Sequence, residues 1–152
     1  MTTPDEPAGD IEPTIKNWAI ALFGPSVHIG YTVPEKWAWD KPVVTVRTII
    51  ESYPGIDPNG LILTQFDCWA GPRDKITAAG LKATLLGALD LLSKGIGQWI
   101  DDATGNILAA AYGTTVQWLP DDTTTTGSTK AGPLPRYSVT TTLVAGKAPV
   151  TA

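Results

Sequence analysis

The sequence predicts an α+β domain: a mainly antiparallel or mixed sheet of four to five strands, with a long helix and a short N-terminal helix packed on one face. The first observation is period-2 alternation in residues 61–69, where Ile62 and Phe66 point one way and Gln65 and Asp67 the other. The second is residues 73–93, which lack proline and repeat leucine and alanine at three- and four-residue spacing. Because loops join the remaining strands, antiparallel pairing with the helices on one face is favoured.

A chain of 152 residues fits one domain. We expect a flexible N-terminal arm over residues 1–12, a single domain over residues 13–145 and a C-terminal tail over residues 146–152. The arm is polar and contains two prolines, which gives it little apolar surface to bury.

The first elements follow from short patterns. Residues 13–22 predict a helix because Ile15, Trp18, Ala19 and Leu22 share one stripe, and Gly24-Pro25 stops it. Residues 27–33 predict a short edge strand. Residues 43–50 are β-branched and predict a central strand, which the turn-rich residues 53–60 join to strand 61–69 as a hairpin.

The long helix is apolar around most of its girth. Pro72 suits the position just before it, and Lys82 and Asp90 are the only charges between Ile76 and Leu92. Such a helix needs cover on more than one side. The sheet supplies one cover, and either a second helix of this chain or a neighbouring subunit supplies the other. The helix at residues 13–22 is the obvious candidate.

The C-terminal half predicts two more strands. Residues 98–106 should form an irregular crossing, and residues 107–119 a strand with a bulge at Gly113. Residues 120–135 hold Asp121-Asp122, four threonines in a row, two glycines and prolines, so we expect a mobile loop. Residues 136–145 alternate again and predict the last strand.

Composition narrows the possible functions. A net charge of −4 without a basic run argues against affinity-driven nucleic-acid binding. The single cysteine, Cys68, excludes an internal disulfide and should be a core residue. We expect no membrane span, because no stretch reaches about 18 apolar residues, and no signal peptide.

The sequence predicts no catalytic residue, no cofactor site and no metal site. His28 stands alone and suits an edge strand better than a metal site. Asp101-Asp102 and Asp121-Asp122 lie in turn-rich stretches, where aspartate favours the backbone geometry. Arg73, Asp74 and Lys75 fit a solvated first turn of the long helix. Neither a phosphate-binding loop nor a nucleophile elbow is present.

Six residues are candidates for an interface: Trp37, Trp39, Asp121, Asp122, Thr124 and Arg136. Two tryptophans that bracket one alanine are typical of either a core plug or an exposed anchor for a partner, and the sequence leaves both open. The two aspartates and Thr124 lie in the predicted mobile loop, and Arg136 opens the last strand.

Three short motifs resemble a known family. They are QFDCWA at residues 65–70, ahead of the long alanine/leucine helix, WLPD at residues 118–121, and PRYSVT at residues 135–140. Together with the β-rich strand before them, they resemble the tail terminator proteins of long-tailed bacteriophages. The resemblance covers residues 43–144, and it leaves the segment around Trp37 and Trp39 unassigned.

The resemblance implies helices on a mainly antiparallel sheet and a homo-oligomer, a six-membered ring. Such a ring stops growth of the tail tube, docks the head connector or stopper protein, and lets DNA pass through its lumen without specific binding. An acidic subunit suits that passage, because carboxylates repel phosphate. The protein would belong to the virion neck and assemble in the host cytoplasm. The alternatives are another neck component, such as a head–tail joining protein, or a small enzyme or ligand-binding domain using the helix–sheet cleft.

Overall fold

The computed structural model describes residues 11–34, 41–52, 60–120 and 134–147. The elements in chain order are α1 (Ile11–Phe23), β1 (His28–Gly30), β2 (Val43–Ser52), β3 (Gly60–Trp69), α2 (Lys75–Ser93), β4 (Trp99–Asp101), β5 (Asn106–Trp118) and β6 (Arg136–Lys147). The strands form one sheet in the order β1-β2-β3-β6-β5-β4. Only β1 and β2 pair in parallel, so the sheet is mixed and the α+β class is confirmed.

The sheet has six strands, so the expected four to five is wrong. The additional strand is β4, which lies in the segment expected to be an irregular crossing and pairs with the start of β5. It is only three residues long. Apolar/polar alternation cannot be recognised over three residues. Segment Trp99–Asp101 is a strand because it pairs with β5, and its local sequence pattern does not show it.

Several element boundaries differ from the expected ones. Helix α1 begins at Ile11, so Ile11 and Glu12 are helical rather than part of an arm. Strand β6 continues to Lys147, beyond the expected start of the tail. Helix α2 begins at Lys75, because the carboxylate of Asp74 caps it by accepting a hydrogen bond from Thr77 N at 3.1 Å.

Both helices pack on the same face of the sheet, as expected. The side chains of Ile62, Phe66 and Cys68 are fully buried on that face of β3. Trp18 of α1 contacts Phe66 with ring centroids 5.9 Å apart. Burial raises the pKa of the Cys68 thiol to about 12, helped by nearby Asp67 and opposed by Lys82, so this thiol is an inert core group.

Helix α1 touches α2 only slightly, and the outer side of α2 stays exposed at Ile76 and Leu91, so the expectation that α1 covers that side is wrong. Helix α1 instead connects the two sides of a curled sheet through hydrogen bonds. Glu12 Oε2 accepts a hydrogen bond from Thr48 N of β2 at 3.0 Å. Asn17 Nδ2 donates to Asp101 Oδ2 of β4 at 3.1 Å. Because β2 and β4 lie near opposite ends of the strand order, the sheet must curl around α1.

Helix α2 therefore keeps an uncovered outer face. Its buried stripe comprises Ala78, Leu81, Leu85, Leu89 and Leu92. On the outer side, Ile76 is 87% exposed and Leu91 46%. By length and composition this helix is apolar enough to cross a membrane, contrary to expectation, and only 28% of the stretch is buried. The buried stripe packs on the sheet as the stripe of a core helix does.

The expected hairpin and bulge are both present. Strands β2 and β3 pair antiparallel from Val43–Trp69 to Ser52–Leu61. The register of β5 against β6 shifts between Tyr112 and Thr115. Gly113, inside this bulge, has a φ of 66°, a conformation that glycine adopts without steric cost.

Candidate interaction surfaces

The motifs that carry the family resemblance meet in the sheet. Strand β3 pairs with β6 so that Trp69 lies opposite Arg136, and Cys68 opposite Tyr137. Strand β5 brings the third motif beside them, with Trp118 opposite Tyr137. The three motifs, which together span about half of the chain length, therefore lie side by side at one end of the sheet, next to the start of α2.

A row of polar side chains crosses the sheet face opposite the helices. Arg47 Nη2 donates to Gln65 Oε1 at 2.9 Å. Gln65 Nε2 donates to the two carboxylate oxygens of Asp67 at 3.0 and 3.2 Å. Arg136 Nη1 lies 4.0 Å from Asp67 Oδ2, which links the row to β6.

Arg136 is the one predicted interface residue that the structure describes. Its Nε donates to the carbonyl oxygen of Leu119 at 2.8 Å, and its guanidinium lies 4.8 Å from the centre of the Trp69 ring. Its side chain is only 26% exposed. Arg136 thus joins the ends of three strands, and its first role is to hold this end of the sheet together.

The other predicted interface residues lie outside the described part of the chain. Trp37 and Trp39 fall in residues 35–40, and Asp121, Asp122 and Thr124 fall in residues 121–133. Their proposed roles stay predictions. The described structure ends at Pro120 on one side of the second gap and resumes at Leu134 on the other.

On the helix-side face, two lysines of α2 lie over aromatic rings. Lys75 Nζ is 4.5 Å from the centre of the Trp118 ring, and Lys82 Nζ is 4.3 Å from that of Tyr137. The two rings are themselves 4.8 Å apart. Sequence reasoning missed this set. The seven-residue spacing of the lysines, two turns of one helix face, was the available signal.

Among the described strands, none pairs with most of the outer edge of β5. Strand β4 covers only Asn106–Leu108 of it. Leu119 N donates to the carbonyl of Arg136 at 2.9 Å, and hydrogen-bonded pairs alternate along an antiparallel ladder. The backbone groups of Val116 and Trp118 therefore point away from β6, where no described strand receives them.

An open groove of about 530 Å³ runs between this edge and α2. It is lined by Leu86, Leu89, Asp90, Ser93, Tyr112, Gly113, Thr114 and Val116. Strand β5 contains no charged residue and no proline. Charges, prolines and covering segments are the usual protection of an edge strand. Apart from its bulge, this edge has none within the described residues.

A buried polar network ties α1 to the β4–β5 turn. Asn106 Nδ2 donates to Thr14 Oγ1 at 2.9 Å, and the Thr14 and Thr104 hydroxyls lie 2.8 Å apart. Thr104 in turn donates to Asp101 Oδ2 at 2.7 Å. Since a carboxylate only accepts, the hydroxyl protons run in sequence from Thr14 to Thr104 to Asp101.

Asp101 is the anionic end of this network. Burial alone would raise its pKa, but hydrogen bonds from Thr104, Asn17 and the backbone of Ala103 outweigh that effect and lower the pKa from its ordinary value. Asp102 is exposed and takes no part. The predicted turn role of this pair is thus met by Asp101, which organises the turn and anchors α1 to it.

His28 lies in the edge strand β1, as expected. Among the residues that the structure describes, no group of three histidine, cysteine, aspartate or glutamate side chains could hold a metal ion. Within the described residues, two surfaces could still bind a partner. One is the β5 edge with its groove, and the other is the end of the sheet where the α2 lysines lie over Trp118 and Tyr137.

Neither a protein-family model nor a curated protein matches this chain.

Proposed function

We propose that this chain is the subunit of a bacteriophage tail terminator, a ring that caps the tail tube and docks the head connector. Its work is structural, without turnover, and DNA passes through the lumen. The ring is a six-membered homo-oligomer in the virion neck, assembled in the host cytoplasm. Its partners are the tail tube protein and the connector or stopper protein.

The observation that carries this proposal is a surface that no other described segment covers, formed by the β5 edge, the groove beside it and the outer face of α2. An edge with free backbone groups and no charge is a template for pairing with another chain. Ile76 and Leu91 add exposed apolar area on the same helix. A subunit that assembles side by side covers such a surface with its neighbour.

The opposite side of the sheet is better protected. Strand β1 covers Val43–Thr45 of β2, and the rest of β2 carries the charged residues Arg47 and Glu51. Glu12 accepts the backbone N–H of Thr48 in β2, and the register of β2 shifts between Thr48 and Ile50. Both features blunt an edge. One protected edge and one open edge favour a heterologous contact, in which the open edge meets a different surface of the next copy. Contacts of this kind form a ring when the rotation between copies closes.

The family resemblance is the reason for proposing that this ring is a tail terminator. Its three motifs lie side by side at one end of the sheet, where Trp69, Trp118 and Arg136 are held by ring and hydrogen-bond contacts. A defined end of this kind suits stacking onto a tube or a connector. The net charge of −4 suits a channel through which DNA slides.

Val116→Lys tests the proposal. Val116 is 39% exposed and lines the groove, so a lysine there should leave the fold intact while placing a charge in the subunit contact. We expect the unmodified chain to form rings, alone or on tail tubes, and the variant to remain monomeric in multi-angle light scattering. Gln117→Lys is the matched control: it adds the same charge on the same strand, but on the opposite face of the sheet.

Two results would contradict the proposal. One is an unmodified chain that stays monomeric both alone and with tail tubes. The other is a Val116→Lys variant that forms rings as well as the Gln117→Lys control does.

A second candidate function has one observation in its favour. A volume of about 530 Å³ for the α2–β5 groove lies within the range of small-molecule sites, so a ligand-binding domain or small enzyme would use this groove. Another neck component would share the ring but bind the head side. Co-sedimentation with tail tubes separates the terminator from both.

A further inference from the structure

A basic patch lies at the end of the sheet where α2 begins, on a chain whose net charge is negative. Its cations are Arg73, Lys75 and Lys82. Of the described carboxylates near this end, Asp67 pairs with Arg136 on the opposite face of the sheet, and Asp74 caps α2. The described end therefore carries an excess of positive charge. Asp121 and Asp122 follow Pro120 in the sequence and lie outside the described residues.

No carboxylate of the described residues neutralises the lysines of this patch. Among the described residues, the ion pairs are Lys94–Asp90 and Arg136–Asp67, so neither Lys75 nor Lys82 makes one. Both ammonium groups instead lie on aromatic rings. A ring holds a cation in place without neutralising it, which leaves the charge free to attract an anionic partner.

A small pocket opens within the patch. It has a volume of about 140 Å³ and is lined by Trp118, Pro120 and Pro135, with Arg73 and Lys75 as its two cationic lining residues. A cavity of about 150 Å³ accommodates a benzene-sized group, so this pocket fits one large apolar side chain. Apolar walls with cations beside them suit an apolar group that has carboxylates next to it.

Arg73 occupies an unusual backbone position. Its φ is 66°, and every other described residue with positive φ is a glycine. Glycine would adopt this conformation without steric cost, so backbone geometry does not favour arginine here. A strained residue at a pocket points to a use for its side chain, and the guanidinium beside the pocket provides one.

We propose that this pocket binds an acidic peptide segment through one large apolar side chain. The apolar side chain inserts between Trp118, Pro120 and Pro135, and flanking carboxylates pair with Arg73 and Lys75. The segment belongs to the protein on which the ring docks; that placement alone rests on the function proposed above. The charge complementarity of the patch selects the partner, and the pocket sets the position of its apolar side chain.

Selection from a random peptide library displayed on beads, using the purified full-length chain, tests this proposal. We expect the enriched peptides to carry phenylalanine, tryptophan or leucine flanked by aspartate or glutamate. A synthetic copy of the best peptide should quench Trp fluorescence on binding. Each variant that removes a cation beside the pocket, Arg73→Gln or Lys75→Gln, should weaken binding about two- to fivefold, the range for one exposed ion pair.

Two further variants separate binding from folding. Arg73→Gly relieves the backbone conformation, so it should melt no lower than the unmodified protein while losing the same affinity as Arg73→Gln. Lys94→Gln removes an exposed lysine at the other end of α2 and should bind the peptide as the unmodified protein does.

Several results would overturn the proposal: no enrichment, enriched peptides without acidic residues, or full affinity in Arg73→Gly and Lys75→Gln. A single-stranded oligonucleotide that binds more tightly than the peptide and displaces it would show that the patch serves nucleic acid instead. These outcomes are independent of ring formation. A monomeric chain that binds the peptide would contradict the terminator function and support the peptide site. A ring that does not bind the peptide would contradict the peptide site and support ring assembly.

Discussion

Phe66→Ala is expected to lower the free energy of unfolding by ~3–5 kcal/mol and to leave little soluble protein. The Phe66 side chain is fully buried on the helix-side face of β3, and its ring contacts Trp18 of α1. Truncation opens a cavity beneath the helices and removes the ring contact that joins α1 to the centre of the sheet. Urea unfolding followed by Trp fluorescence measures the loss.

Leu63→Ala is the matched control for this prediction. Leu63 lies on the same strand, but its side chain points to the opposite face and is only half-buried. Its truncation should cost well under half as much as that of Phe66, because less apolar area leaves water. A Phe66→Ala protein that is soluble and melts normally would mean that the two faces of β3 are reversed.

Asp101→Ala is expected to cost ~2–4 kcal/mol of stability, because three donors lose a common acceptor. These donors are Asn17 Nδ2, Thr104 Oγ1 and the backbone N–H of Ala103. The hydroxyl of Thr14 and the amide of Asn106 depend on the same chain of hydrogen bonds. Asp102→Ala, one residue further along and exposed, should change stability by less than about 0.5 kcal/mol.

The same carboxylate predicts a pH dependence. The folded-state pKa of Asp101 lies below its ordinary value of 3.8, so its contribution is present above that pH and is lost as the pH falls through the folded-state pKa. The stability difference between the unmodified protein and Asp101→Asn should therefore be largest near neutral pH and should narrow below 3.8. A difference that stays constant from pH 7 to the acid limb would show that the charge of Asp101 contributes nothing.

The sequence by itself determined the elements that bury a long apolar face. The alternation of β3 and the leucine stripe of α2 each repeat over several turns or pleats, so their period was readable, and both helices lie on one face of the sheet as expected. The turn formers ahead of β3 likewise predicted the β2–β3 hairpin, and Gly113 predicted the bulge of β5. These features depend on local backbone geometry and on which face of an element is buried. The spacing of apolar residues along the chain predicts each of them.

Only the tertiary structure decided the features that depend on contacts between distant segments. Strand β4 exists because β5 pairs with it, and α1 lies within the curl of the sheet because Glu12 and Asn17 find partners on its two sides. The lysines of α2 meet Trp118 and Tyr137 only because β5 and β6 end beside that helix. Residue spacing sets which way a side chain points along its own element. The partner it meets is set by how the elements pack, which no local pattern records.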